Sequence, residues 1–183
     1  MKVLILDHDG VVCLPEQWGG RKLKLKKWNK LNPDNQVFYE YDDYKMDVEY
    51  RFDNFDEKSV KVLNRILKET DAEIVVSSDW KNMCTLEEMK DLYKKYGVIK
   101  SPIDYTIPLD DIDFKSIKIP LGYEGERALE IKKWLEKNRV DSWVAIDDLN
   151  MTDYLTNFIH VKRRNEGIKQ HGIASKIINI LNK

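Results

Sequence analysis

Three short apolar runs constrain this chain more than any other feature. Lys2 to Leu6, Glu73 to Val76 and Trp143 to Ile146 carry apolar residues at consecutive positions rather than alternate ones. A strand buried on both faces reads this way, and such strands belong to the interior of a parallel sheet covered by helices. Each run also stops on polar residues: Asp7-His8-Asp9-Gly10, Ser77-Ser78 and Asp147-Asp148.

The segments between the runs supply the helices. Val60, Leu63, Ile66 and Leu67 recur at helical spacing in a segment opening near Asp56. Thr85 to Tyr96 reads as a helix stopped by Gly97, and Glu124 to Asn138 carries Leu129, Ile131, Trp134 and Leu135 on one helix. A short helix from Thr152, a strand Phe158 to Val161 and an amphipathic helix Ile173 to Leu181 complete the pattern. Strands alternating with helices imply right-handed βαβ units. The expected fold is α/β, a three-layer sandwich with a mostly parallel, Rossmann-like sheet. Ser101 to Gly122, with three prolines, reads as irregular chain crossing the sheet edge. Residues 13–55 break the pattern: they are polar, hold Gly19-Gly20 and Asn32-Pro33, and have charge blocks of opposite sign at their two ends. They read as a small cap inserted after the first strand, with β content around Val37 to Tyr41 and Val48 to Phe52, inside one domain spanning 1–183.

Composition narrows the function classes. With 183 residues, 42% hydrophobic and 34% charged, the chain suits one globular domain rather than a disordered segment. A net charge of -1 gives no global pull toward nucleic acid or membranes, so such a partner must be argued from a local patch. No apolar run has the length of a membrane span, and the expected location is cytoplasmic. Cys13 and Cys84 have no metal-ligand spacing and read as reduced structural thiols.

In an open parallel sheet, ligands bind at the carboxyl ends of the strands. The polar tips of the three runs would therefore share one edge, and their chemistry suits phosphoryl transfer. Asp7 can attack phosphorus to form an acyl phosphate. Asp9, two residues on, can protonate the leaving oxygen and then take a proton from the hydrolytic water. Asp7, Asp147 and Asp148 would repel one another without a cation between them, and Mg2+ suits an all-oxygen donor set. Ser77 and Ser78 can donate to phosphoryl oxygens, and Arg127 or Lys132 on the following helix can neutralise the transferring group.

Leu4 to Val12, Ile74 to Ser77 and Ala145 to Asp148 resemble motifs I, II and IV of haloacid dehalogenase-like (HAD) hydrolases. The resemblance implies Asp7 as nucleophile, Asp9 as acid/base, Ser77 as a phosphate contact, and Mg2+ held by Asp7, Asp9 through its carbonyl, and the Asp147/Asp148 pair. A narrower likeness runs through Phe55-Asp56, Val62-Leu63-Asn64, Ala72 to Lys81, Tyr105-Thr106, Arg127 to Ile131, Trp134-Leu135 and Glu166-Gly167-Ile168. It is similar to the HAD domain of Swiss Army knife RNA repair proteins; Ala145 to Asp148 is also similar to the phosphatase half of polynucleotide kinase-phosphatase. Asp79 and Lys81 depart from the Ser and Arg more usual around that Trp. Motif III stays open among Arg127, Lys132 and Lys133.

The implied function is Mg2+-dependent hydrolysis of a phosphomonoester, on a nucleotide or a nucleic-acid end. The alternatives are a small-metabolite phosphatase and an inactive module that binds nucleic acid. The basic run Arg21 to Lys30, beside Trp18, suits a polyanion, although a solvated, partly amphipathic surface segment has the same composition. His8 should point away from Asp7, because side chains alternate along an extended strand end.

Overall fold

The computed structural model describes residues 1–38, 44–108 and 122–183. Five strands form one sheet in the order β3-β2-β1-β4-β5, every neighbouring pair parallel. They are β1 (Lys2–Leu6), β2 (Glu73–Val76), β3 (Asp104–Tyr105), β4 (Ser142–Asp147) and β5 (Phe158–His160). The helices are α1 (Gly20–Leu31), α2 (Val48–Arg51), α3 (Glu57–Thr70), α4 (Leu86–Lys95), α5 (Gly122–Lys137) and α6 (Ile173–Leu181).

Strand alternation divides the core into two. Leu4, Leu6, Ile74, Val76, Val144 and Ile146 face one side with Leu63, Ile66 and Leu67 of α3, Met89, Leu92 and Tyr93 of α4, and Ile177 and Leu181 of α6. Val3, Ile5, Val75 and Ala145 face the other with Ala128, Ile131 and Trp134 of α5. Helices on both faces explain the unbroken apolar runs. Each fully buried aliphatic side chain contributes about 1.5–3 kcal/mol, so the central strands dominate the apolar stabilisation.

Helix ends follow local chemistry. The Asp56 side chain accepts from the Ser59 N–H at 2.7 Å and starts α3. Thr85 and Glu88 form a reciprocal capping box at α4.

Between β1 and α3, Trp28, Val37 and Met46 make a separate small cluster, with Leu25 and Tyr50 against it. Here two expectations need correction. Val48–Arg51 is a helix, not a strand. Tertiary anchoring overrides its β-branched and aromatic content: buried Arg51 donates to the carbonyls of Met46 (2.8 Å) and Tyr44 (3.1 Å) and to Glu88 (2.7 Å). Val37 lies outside any strand, and residues 39–41 of that expected strand lie outside the described residues. After β4, residues 152–155 make a single turn, with Leu155 N–H on Met151 O at 3.0 Å, rather than the helix expected from Thr152. The strand opening at Phe158 leaves no length for more. In the stretch expected to be irregular, Asp104–Tyr105 pairs with Val75 and Val76 as an edge strand; 109–121 lie outside the described residues.

Candidate active site

β1 is the topological switch point: β2 lies on one side and β4 on the other. The register sets Leu6 level with both Val76 and Ile146. The next residues of the three strands, Asp7, Ser77 and Asp147, therefore emerge side by side. The Asp7 N–H donates to Ile146 O at 3.1 Å, and the Ser77 N–H to Leu6 O at 2.9 Å.

One carboxylate oxygen each from Asp7, Asp147 and Asp148 lie within 4.8 Å of one another. Such a set is unfavourable in a dry site unless protons or a cation intervene. Burial pushes the Asp7 carboxyl well above the usual range, and the Asp147 charge pushes it further. Burial likewise raises Asp147, to about 7, against the pull of Arg127. Asp147 Oδ1 accepts the Leu149 N–H at 2.8 Å, while Oδ2 is buried without a hydrogen-bond partner and lies 3.6 Å from Arg127 Nη1. An oxygen-only donor set with an orphaned carboxylate oxygen fits a hard divalent cation such as Mg2+.

Gly10 makes this approach of strand ends feasible. Its φ is +73°, and a Cβ there would come within 2.5 Å of Asp148 Oδ2. Gly167 plays the same part from behind: its φ is +57°, and a Cβ would come within 2.3 Å of Val11 O.

Arg127 of α5 reaches in from the opposite layer. Its Nη1 donates to Ser77 O and lies 3.6 Å from both Asp7 Oδ1 and Asp147 Oδ2, while Nη2 pairs with Asp79. Burial works against its charge, but the Asp7 and Asp147 carboxylates outweigh that and hold it firmly protonated. A cavity of about 90 Å3 opens here, lined by Asp7, Asp9, Ser78, Asp147, Asp148 and Arg127 among others. It has room for several water-sized groups. Ser77 is not in that lining, but its Oγ is buried and unpartnered beside it.

Asp9 sits on the rim. Its Oδ2 accepts from Trp80 Nε1 at 2.8 Å. Burial raises its carboxyl above the usual range, and the Trp80 and Cys13 donors partly oppose this. His8 turns the other way, as strand alternation requires: Nε2 meets the Tyr93 hydroxyl at 2.8 Å, and burial lowers it to about 3.

Lys132 is not part of this arrangement. Five residues beyond Arg127 a helix has turned about 140°, and Lys132 is exposed, outside the cavity lining. Lys133 pairs with Glu136 at 2.7 Å.

Several residues were not foreseen from the sequence. Asp79 and Tyr123 line the cavity and hold Arg127. Beneath them Lys81 and Glu130 form a buried ion pair, with Thr106 at 3.0 Å from Lys81 Nζ. Arg164 Nε lies 2.5 Å from Asp148 Oδ2, and His160 Nε2 lies 3.1 Å from Asp148 O. Both follow from the strand-tip rule applied to β5, whose carboxyl end leads into Lys162-Arg163-Arg164.

Residues 3–171 match the family described as the HAD domain in Swiss Army Knife RNA repair proteins. The chain belongs to this family. No curated protein and no solved structure matches it. The HAD fold and the all-parallel sheet agree, and HAD-type hydrolysis is the chemistry to which the clustered side chains are to be matched. Among the described residues, no helix is long and apolar enough to cross a membrane.

Proposed function

We propose that this HAD domain is a Mg2+-dependent phosphomonoesterase acting through an aspartyl-phosphate on Asp7, with phosphorylated nucleic-acid ends as its substrates. The observation that carries the reading is the convergence of Asp7, Asp147 and Asp148 within 4.8 Å, with the Arg127 guanidinium 3.6 Å from two of them.

An Asp7 oxygen attacks phosphorus in line; the new P–O bond forms as the ester P–O bond breaks. Asp9, at the rim, gives its proton to the departing oxygen. Arg127 and the Ser77 and Ser78 hydroxyls hold the phosphoryl oxygens. Water then attacks the same phosphorus, Asp9 takes its proton, and Asp7 is released with inorganic phosphate. Asp7, Asp147, Asp148 and the Asp9 carbonyl would hold the Mg2+, which supplies charge neutralisation for the transferring group.

The nucleic-acid reading draws on α1. Lys22, Lys26, Lys27 and Lys30 are exposed along this 12-residue helix, about 18 Å long at 1.5 Å per residue. The Asp53 carboxylate accepts from the Gly19 and Arg21 N–H groups at its start, and its charge also acts on Asp9. Asp53 thus links the start of the basic helix to the Asp9 side of the cavity, which supports reading the insertion 13–55 as a cap that guides a polyanion.

The test is a screen of phosphorylated oligonucleotides, nucleotides and sugar phosphates with Mg2+ and with chelator, for the wild type and Asp7→Asn. The proposal expects hydrolysis only with Mg2+ and Asp7, and an oligonucleotide rate that falls with salt at a log–log slope of about −2 to −3, as three or four phosphate contacts require. Hydrolysis by Asp7→Asn would refute the covalent route; a salt-independent preference for sugar phosphates would refute the substrate.

A further inference from the structure

Asp9 is half-buried at the cavity rim beside other negative charges: Asp53 and Asp148 both act on it. A carboxylate there, with two soft torsions, would swing toward water unless something held it. What holds it are neutral donors, the Cys13 thiol and the Trp80 Nε1–H, the latter at 2.8 Å and set in a rigid ring. An indole has that one donor and no acceptor.

The indole is itself fixed. Trp80 lies on the short turn Asp79–Asn82 directly after β2 and is 4% exposed. Its ring stacks on Phe52 at 4.5 Å and 15°, and on Phe55 at 5.7 Å and 29°. On a third side it meets the His8 ring at 4.7 Å, and the Tyr93 hydroxyl meets His8 Nε2 at 2.8 Å. His8 at the β1 tip, itself held by Tyr93 of α4, and Phe52 and Phe55 of the insertion therefore leave the indole one orientation. In it, the N–H is spent on Asp9.

We infer that Trp80 is a positioning residue for Asp9: its indole N–H fixes the carboxyl group at the cavity rim in the orientation that proton transfer to and from substrate requires. The inference rests on the reading of Asp9 as the acid/base. A neutral donor suits this work better than a cation. It holds the carboxyl in one place with or without the proton, where Lys or Arg would clamp it in a salt bridge. It also gives His8, flanked by the two catalytic aspartates, a purpose as a wall of the box that holds the indole. Phe52, from the insertion, is another wall, so the seating of the insertion and the aim of Asp9 are mechanically joined.

Trp80→Phe tests this, because it keeps a ring against Phe52 and Phe55 and removes the N–H. General acid–base groups contribute about 10²- to 10⁴-fold, and the loss of orientation alone should cost part of that. The expected result is a kcat lowered about 10- to 100-fold, KM within about twofold, and a cooperative thermal transition close to the wild type. In the Asp9→Asn background the same substitution should change kcat by less than about twofold, because the group it serves is gone. Full kcat in Trp80→Phe, or an undiminished loss in the Asp9→Asn background, overturns the inference. Wild-type turnover by Asp9→Asn instead overturns the acid/base reading beneath it. Should Trp80→Phe fail to fold, benzothienylalanine at position 80 replaces it; this keeps the indole's shape with sulfur in place of N–H, and the same outcomes decide.

Discussion

Replacing Asp147 by Asn should stabilise this protein in the absence of metal while removing its response to metal. Burial holds the Asp147 carboxyl at about 7 in the folded chain, against an ordinary 3.8. A carboxyl raised on folding binds more protons in the folded state between those values. Its contribution is therefore most favourable below about pH 4 and is lost as pH rises to about 7. At 1.36 kcal/mol per pH unit, the charged group costs about 4 kcal/mol at pH 8, as an upper bound. Asn keeps the shape and removes the charge. Its advantage over wild type should grow by about 3 kcal/mol between pH 5 and pH 8, or about 5–10 °C in Tm for a chain of this size. Thermal unfolding of both proteins by circular dichroism, with chelator at the two pH values, reads this out; the difference cancels groups remote from position 147, while Asp7, relieved of the Asp147 charge, shifts it in the same direction. Mg2+ at 100 times its Kd should then add about 2.7 kcal/mol to the wild type and little to Asp147→Asn. An advantage that does not grow with pH, or equal Mg2+ stabilisation of both proteins, would refute the reasoning.

Two other perturbations follow from the same surroundings. Lys81→Met leaves the buried Glu130 carboxylate with only the Arg127 guanidinium at 3.8 Å and should cost at most about 3–5 kcal/mol in denaturant unfolding, whereas Lys81→Met with Glu130→Leu should recover most of it; a double variant as unstable as the single would contradict this. Arg164→Ala frees the Asp148 oxygen that Arg164 holds and should tighten Mg2+ binding, measured calorimetrically, by about two- to fivefold, since Arg164 is 54% exposed and such pairs are worth at most about 1 kcal/mol; unchanged or weaker binding would count against it.

How far the sequence could be read depends on the residue. β1, β2 and β4 were legible because a strand buried on both faces leaves an unbroken apolar run, and their polar tips had to share one edge once the strands were parallel. β3 was not: two residues at a sheet edge carry no periodicity, and Asp104–Tyr105 sits among prolines. Val48–Arg51 failed because its conformation is set by Arg51 reaching Glu88, 37 positions away. The choice between Arg127 and Lys132 depended on where α5 begins, since helical phase separates them by more than a third of a turn. Asp79 was read only as a departure from a pattern. Its partner Arg127 shows its use: a further carboxylate, beyond Asp7 and Asp147, draws the guanidinium across the cavity, which no local spacing reveals. The Trp80–Asp9 hydrogen bond joins positions 71 apart and was invisible for the same reason.

The claim on which the rest depends is that Asp7 is the atom donor to phosphorus. A crystal structure grown with Mg2+ and beryllofluoride tests it directly, because the trifluoride mimics a phosphoryl group on a carboxylate. Beryllium should bond to an Asp7 oxygen, with fluorines facing Arg127 and Ser77 and one Mg2+ touching Asp7 and the Asp147/Asp148 pair. Beryllofluoride bound to any other side chain, or absent from a cavity that holds Mg2+, would contradict it.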